Sequence, residues 1–313
     1  MLSNILLLIT AIIWGTAFVA QKDGGEIGAL TFNGVRTLLG GLVLIPVIVI
    51  MNKGKFKGLV GPDPKEGAKA PLFAKSEIIG GVFCGIALGI ASNVQQYGVN
   101  FTTVSKAGFI TVLYIAFVPI ISVVLRKKVK PILWLCVGLG ALGFYMLTLM
   151  GQEEFHLQIG DLFVLLCAFC FAVHIMVVDH FATDMDGLKL SCIQFLTAGG
   201  LTCIAMFIFE DPSWDAINTA IVPILYAGIL SCGVAYTLQV VAQKWADPSV
   251  ASLLMSLESV FACIAGVILL GDSMAWYQWL GCAVIFSAVI VSNLAEETKD
   301  ELALEEAQAQ VKE

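Results

Sequence analysis

The chain is 313 residues long, 58% hydrophobic and 13% charged, with a mean hydropathy of +0.91. A soluble domain carries about twice that charged fraction, so the composition excludes an ordinary soluble enzyme or binding module and specifies an integral membrane protein. The formal charge of −7 lies mostly in the C-terminal tail, where Glu296, Glu297, Asp300, Glu301, Glu305, Glu306 and Glu313 outnumber Lys299 and Lys312, and the lack of a basic face or arm outside short loops excludes nucleic-acid binding.

In chain order, the apolar stretch from Leu2 to Ala20 has no basic leader and no small-residue cleavage pattern, and reads as a first retained span rather than a signal peptide. Further segments of spanning length follow at 28–51, 77–98, 103–125 and 131–150, then at 159–181, 187–209, 217–241, 249–270 and 275–294. With the first, at 2–21, they make ten. About twenty apolar residues cross the hydrocarbon layer, and in lipid each backbone group must be paired within its own segment, so these runs are expected to be helices. The connection from Asn52 to Ser76 holds Lys53, Lys55, Lys57, Lys65, Lys69 and Lys75 among glycines and prolines, and the one after the fourth segment holds Arg126, Lys127, Lys128 and Lys130. Connections of the other parity are nearly free of Lys and Arg, and Glu210 to Asp215 is acidic. Positive loops stay cytoplasmic, so both termini are expected in the cytoplasm, with Trp214, Trp276 and Trp279 at the outer interface.

The two halves resemble each other. Residues 105–125 slide onto 249–269 and pair Ser105 with Ser249, Ala107 with Ala251, Leu113 with Leu257, Val123 with Val267 and Leu125 with Leu269, while Gln95 meets Gln239 at the same offset. A slightly larger offset pairs Arg36 with Gln194 and Gly41 with Gly199. Five spans per half force opposite orientations, so the expected fold is an all-α membrane protein of ten transmembrane helices in two inverted five-helix repeats, 1–150 and 151–294, followed by an acidic cytoplasmic tail at 295–313.

All nine cysteines fall in apolar runs, which argues against a disulfide framework. Cys167 and Cys170 form a CxxC on an apolar helix with no second pair, and read as small filler. No phosphate loop, nucleotide fingerprint, nucleophile elbow or HExxH occurs, so no cofactor, metal or enzymatic role is expected.

The run LESVFACIAGVILLGDSMAWYQWLGCAVIFSAVIVSN from Leu257 to Asn293 resembles the closing signature of the EamA proteins of the drug/metabolite transporter superfamily. AIIWGTAFVAQK from Ala11 to Lys22 resembles the opening span of that family, and FNGVRTLLGG from Phe32 to Gly41 its second. One departure stands out: Ser259 occupies the place where the family usually has Pro after the glutamate, so a proline-made break is not implied there. The resemblance implies a helical bundle with a central cavity between the halves. It also implies transport of small metabolites, often export of amino acids, with sugar phosphates or nucleotide sugars in organellar relatives.

Candidate site residues are those costly in lipid. Glu258 sits near the middle of the ninth segment, where an acidic residue costs about 2.5–3.5 kcal/mol and usually faces a cavity. It is read as a proton-coupling carboxylate in apolar surroundings, or as an ionised one that needs a cationic partner such as Arg36 or Lys106, the structural alternative being a buried carboxyl capping a broken helix. Arg36 could hold a substrate carboxylate or phosphate, or tie helix ends together. His174 could relay protons or bond a neighbouring helix. Asn93 and Gln96 share a helix face, as do Tyr236 and Gln239, and their polar groups could read a substrate or bond between helices. Trp14 and Tyr114 are candidates for an aromatic wall, with ordinary packing as the alternative.

The expected activity is therefore secondary transport of a small polar metabolite, an amino acid first, by alternating access across the cytoplasmic membrane, with protons as a candidate coupling ion. Proton-coupled efflux of cationic drugs and a non-transporting scaffold are the rivals. Substrate and direction are not legible, and a homodimer stays open.

Overall fold

The computed structural model describes residues 2–24, 27–53, 72–99, 101–102, 104–151, 158–265, 267–268 and 273–312, and describes only the backbone for 18–19, 21–23, 52–53, 104–106 and 296–312. Most of the lysine-rich connection, the segment 152–157, the Lys106 side chain, the side chains of the acidic tail, and Gly271 and Asp272 lie outside what it describes.

Among the described residues the structure is all helix, without a strand. Helix α1 covers Leu2–Gly24, α2 Ala29–Lys53, α3 Lys75–Val99, α4 Val104–Val112, α5 Tyr114–Val124, α6 Pro131–Thr148, α7 Ile159–Ala182 and α8 Gly187–Phe209. A short α9 at Trp214–Thr219 leads into α10 at Ile221–Leu225, a π-helical stretch at Tyr226–Tyr236 and α11 at Thr237–Gln243. The chain ends with α12 at Pro248–Met255, α13 at Glu258–Ala265 and α14 at Trp276–Lys312. Nine stretches among the described residues are long and apolar enough to cross a membrane, and α1 contributes a shorter apolar run, Leu2–Ala17. The protein is thus a multi-pass membrane protein. Large apolar side chains such as Val124, Phe207, Phe209 and Val222 are exposed on its outside, a surface that suits lipid and not water.

The helix starts follow local chemistry. Asp186 accepts from the backbone N–H of Leu188 and Lys189 at the head of α8, Asp247 accepts from that of Ser249 ahead of Pro248 in α12, and Pro131 opens α6. Helix α2 is capped from another part of the chain: the Glu210 carboxylate, just past α8, accepts from Leu30 N at 2.9 Å, Thr31 N at 2.8 Å and Thr31 Oγ1 at 2.6 Å. An anion at this end meets both the unpaired N–H groups and the positive pole of the helix. Gly28, with φ +110°, brings the backbone so close that a Cβ there would lie 2.5 Å from Glu210 Oε2.

Packing runs α2 on α8, α6 on α14, and α3 between α7 and α8. The π-helical stretch lies against α1 and α2, α12 and α13 lie against α1, and α4 and α5 lie against α7. Small residues permit this closeness, because helix association in lipid depends on van der Waals contact rather than on the hydrophobic effect. At the α6–α14 crossing the fit is reciprocal: a Cβ on Gly143 would stand 2.8 Å from the Gly281 carbonyl oxygen, and one on Gly281 would stand 2.6 Å from that of Gly143. Gly138, in the same helix, has nothing within 4 Å of where its Cβ would be. Gly281→Ala is therefore expected to cost about 1–3 kcal/mol as the helices are forced apart. Gly138→Ala should leave the thermal unfolding midpoint in detergent unchanged or slightly raised.

Candidate functional site

Two of the membrane stretches are interrupted inside the protein. In Ala107–Val124, α4 stops at Val112 and α5 begins at Tyr114; in Pro248–Ala265, α12 stops at Met255 and α13 begins at Glu258. The second break needs no proline. Ser252 Oγ donates to Ser249 O at 2.8 Å and Ser256 Oγ to Leu253 O at 2.6 Å, and side-chain bonds of this kind compete with the helix ladder. Around it the backbone bonds tighten to three-residue spacing, with Leu257 N on Leu254 O at 3.2 Å and Ser259 N on Ser256 O at 3.3 Å. The first break shows the same tightening, Leu113 N on Ile110 O at 3.1 Å, six residues ahead of Pro119, whose ring removes the N–H that Ile115 O would have received. The two breaks match under the offset that pairs Leu113 with Leu257. Tyr114 and Glu258 are then counterparts, each the first residue of a half-helix that starts mid-span.

Tyr114 and Glu258 line one partly open cavity of about 50 Å3. Trp14 enters from α1, Arg36 from α2, Gln95 from α3, Thr111 from the end of α4, and Phe171, His174 and Ile175 from α7. Ser231 and Tyr236 come from the π-helical stretch, Gln239 from α11 and Met255 from the end of α12. The extra residue per turn in a π-helix turns side chains off the α-helical register, and such stretches recur at functional sites.

The cavity holds one residue of each charge. Arg36 is only 6% exposed, and its Nε and Nη2 donate to Asn33 Oδ1 at 3.1 and 2.9 Å. The Phe32 ring lies 5.3 Å from its Cζ, and no carboxylate among the described residues is within ion-pair distance. Glu258, 7% exposed, has no hydrogen bond or ion pair among the described residues, so the two charges share a cavity without touching. Unpaired charges in such a place are expensive unless water or a ligand meets them. Trp14 Nε1, Tyr114 Oη and Gln239 Oε1 are also buried without a partner, while the Trp14 and Tyr236 rings pack at 4.5 Å between centroids. His174 is tied to α8 through Nε2 and Gln194 Oε1 at 3.0 Å.

Of the residues singled out in the sequence, Trp14, Arg36, Tyr114, His174, Tyr236, Gln239 and Glu258 are brought together here. Asn93 and Gln96 are not among the lining residues. Asn93 is spent between helices, accepting from Asn33 Nδ2 at 2.7 Å and donating to Thr202 Oγ1 at 2.8 Å, and Gln96 is buried on the same side of α3. The intervening Gln95 reaches the cavity instead and donates to Thr111 Oγ1 at 3.3 Å. Its pairing with Gln239 across the halves was the available signal. Thr111, Phe171, Ile175, Ser231 and Met255 carry none, being indistinguishable by type from lipid-facing or packing residues. Among the described residues no group of three or more His, Cys, Asp or Glu could hold a metal ion.

Comparison with known proteins identifies this bundle of membrane helices around a polar cavity as a transporter rather than an enzyme. The profile of the EamA-like transporter family matches residues 1–149 and 158–294, and the chain belongs to that family. It is 29% identical to an uncharacterized transporter of Archaeoglobus fulgidus, over 92% of this chain and 84% of the relative. It is 24% identical to the threonine/homoserine exporter RhtA of Escherichia coli K12, over 93% of this chain and 90% of the relative. In three dimensions it matches a crystal structure of another protein with a TM-score of 0.75 at 16% identity, covering 94% of this chain and 96% of that one, a likeness of fold.

Glu258→Gln removes the unpaired charge at nearly constant volume. It is expected to stabilise the folded protein in detergent at alkaline pH by about 1–3 kcal/mol, on the scale of the penalty for an acidic residue at mid-span. A lower midpoint would instead reveal a structural contact made by the carboxylate.

Proposed function

We propose that the protein is a secondary transporter that moves an amino acid or a related small polar metabolite across the cytoplasmic membrane by alternating access, in the direction of export. The observation that carries this reading is that Arg36 and Glu258, neither in an ion pair among the described residues, line one cavity beside two helix breaks. Arg36 takes the substrate carboxylate through paired hydrogen bonds. Glu258 takes the ammonium group, or the proton that exchanges for it. The half-helix starts at Tyr114 and Glu258 add positive dipole ends, as at the broken helices of other secondary transporters.

In this reading the halves 1–150 and 151–294 are inverted five-helix repeats with both termini cytoplasmic, α1 serving as the tenth span. Two features support it. The family profile matches a segment in each half, and the main packing pairs survive when each span is exchanged for the one five places away. Thus α3 on α7 becomes the π-helical stretch on α1, and α13 on α1 becomes α4 and α5 on α7, while α2 on α8 and α6 on α14 map onto themselves. The name of the Escherichia coli relative makes L-threonine the first compound to try.

Efflux of lipophilic cations is a second reading. An unpaired Glu258 carboxylate beside Trp14, Tyr114 and Tyr236 is chemistry that suits a cation. Arg36 in the same wall weighs against it.

In proteoliposomes, L-threonine counterflow is expected, competed by other amino acids and not by tetraphenylphosphonium. Arg36→Gln and Glu258→Gln should each lower it by roughly 10- to 150-fold while the protein still folds, since a hydrogen bond to a charged group contributes about 1.5–3 kcal/mol. Competition by the phosphonium alone would favour the second reading, and the absence of flux for any metabolite would remove both. For topology, cysteines introduced at Asp63 and Glu153 should be labelled by an impermeant maleimide from opposite faces, Glu153 from outside. Labelling of both from outside would break the inverted arrangement.

A further inference from the structure

Arg36 is held by a chain of amides that ends on α8, in the other half of the protein. An arginine has donors only, so the group that receives its Nε and Nη2 must be the Oδ1 of Asn33. That choice turns Asn33 Nδ2 toward α3, where it donates to Ser92 Oγ at 3.0 Å and to Asn93 Oδ1 at 2.7 Å. Asn93 has then committed its oxygen, and its Nδ2 donates to Thr202 Oγ1 at 2.8 Å. Every bond points the same way, from the guanidinium outward, and the orientation of each amide is forced by its neighbour rather than free to flip. Bonds in such a chain polarise one another in a low dielectric, so the positive charge of Arg36 is steadied by three residues that do not line the cavity. Asn33 and Thr202 are buried and Asn93 is half-buried between them, so water is a poor substitute for Asn33 or Thr202.

We infer that Asn33, Asn93 and Thr202 are positioning residues for substrate binding, a relay that fixes the Arg36 guanidinium toward the cavity and ties its placement to α8. This rests on the reading of Arg36 as the group that takes the substrate carboxylate. Thr202 is the informative member: it is the far end of the chain, it touches Arg36 through two intervening residues, and Thr202→Val keeps its shape while removing the acceptor. Thr202→Ser keeps the acceptor.

The test uses two readouts on the purified, reconstituted full chain. The sequence contains two arginines, Arg36 and Arg126, so an Arg126→Lys background leaves Arg36 as the sole target of phenylglyoxal, followed by intact mass. In that background Thr202→Val is expected to speed modification of Arg36 by about three- to ten-fold, the effect of losing one hydrogen bond, and Thr202→Ser to restore the slow rate. In L-threonine counterflow, Thr202→Val should raise KM by a similar factor with kcat held within about two-fold, and Thr202→Ser should restore KM. Unchanged Arg36 reactivity in Thr202→Val would overturn the relay, and so would a loss of flux that follows the thermal midpoint and is not restored by serine. If Arg36 reactivity shifts as expected but the parent protein carries no L-threonine, the relay stands and the assignment of an amino-acid substrate fails.

Discussion

Backbone groups left unpaired in hydrocarbon cost several kcal/mol each, and this constraint organises the molecule. It makes most of the described residues between Leu2 and Ala295 helical, and it favours lapses in helicity at places screened from lipid. Both mid-span lapses, at Leu113 and at Ser256 and Leu257, lie within the packed interior and border one cavity. A break there does two things at once. It tightens the backbone bonds around the starts of α5 and α13 to three-residue spacing, and it sets Tyr114 and Glu258 at the heads of half-helices that border the same space. The serines at 252 and 256 show how a chain without proline at this point reaches the same end, by offering the carbonyls of Ser249 and Leu253 a competing donor.

The cavity's electrostatics follow from the helices around it. Glu210 anchors the head of α2, which sets the height of Arg36 two turns further on, and Asn33 fixes its direction. Glu258 has no such support among the described residues. One charge is therefore held rigidly and the other loosely, across a gap of unpaired polar atoms from Trp14, Tyr114 and Gln239. That asymmetry fits a site in which a fixed cation orients the solute and a less restrained carboxylate exchanges its partner between states.

Much of this was legible in the sequence, for identifiable reasons. Charges in apolar runs are rare enough to stand out, so Arg36 and Glu258 announce themselves, and periodic apolar lengths give the membrane stretches. The interruptions were harder. Ser252 and Ser256 look like ordinary small residues, and the absence of proline at Ser259 pointed away from a break that the structure places just before it. The amides of α3 left two readings open for a related reason: Asn93 and Gln96 share a face, but only the neighbouring helices determine whether that face meets a cavity or α2 and α8. Asn33 and Thr202, which hold Asn93, drew no notice, because a helix–helix hydrogen bond depends on which helices meet.

The central claim is that a water-reachable solute site lies between the two helix breaks, at mid-depth. It is tested most directly by a single cysteine at Gln95→Cys, a half-buried position on the cavity wall, in a background with the nine native cysteines replaced. In vesicles, a small charged thiol reagent should modify it from the aqueous phase, and L-threonine should slow that modification. A folded variant that no aqueous reagent reaches from either face would contradict the account.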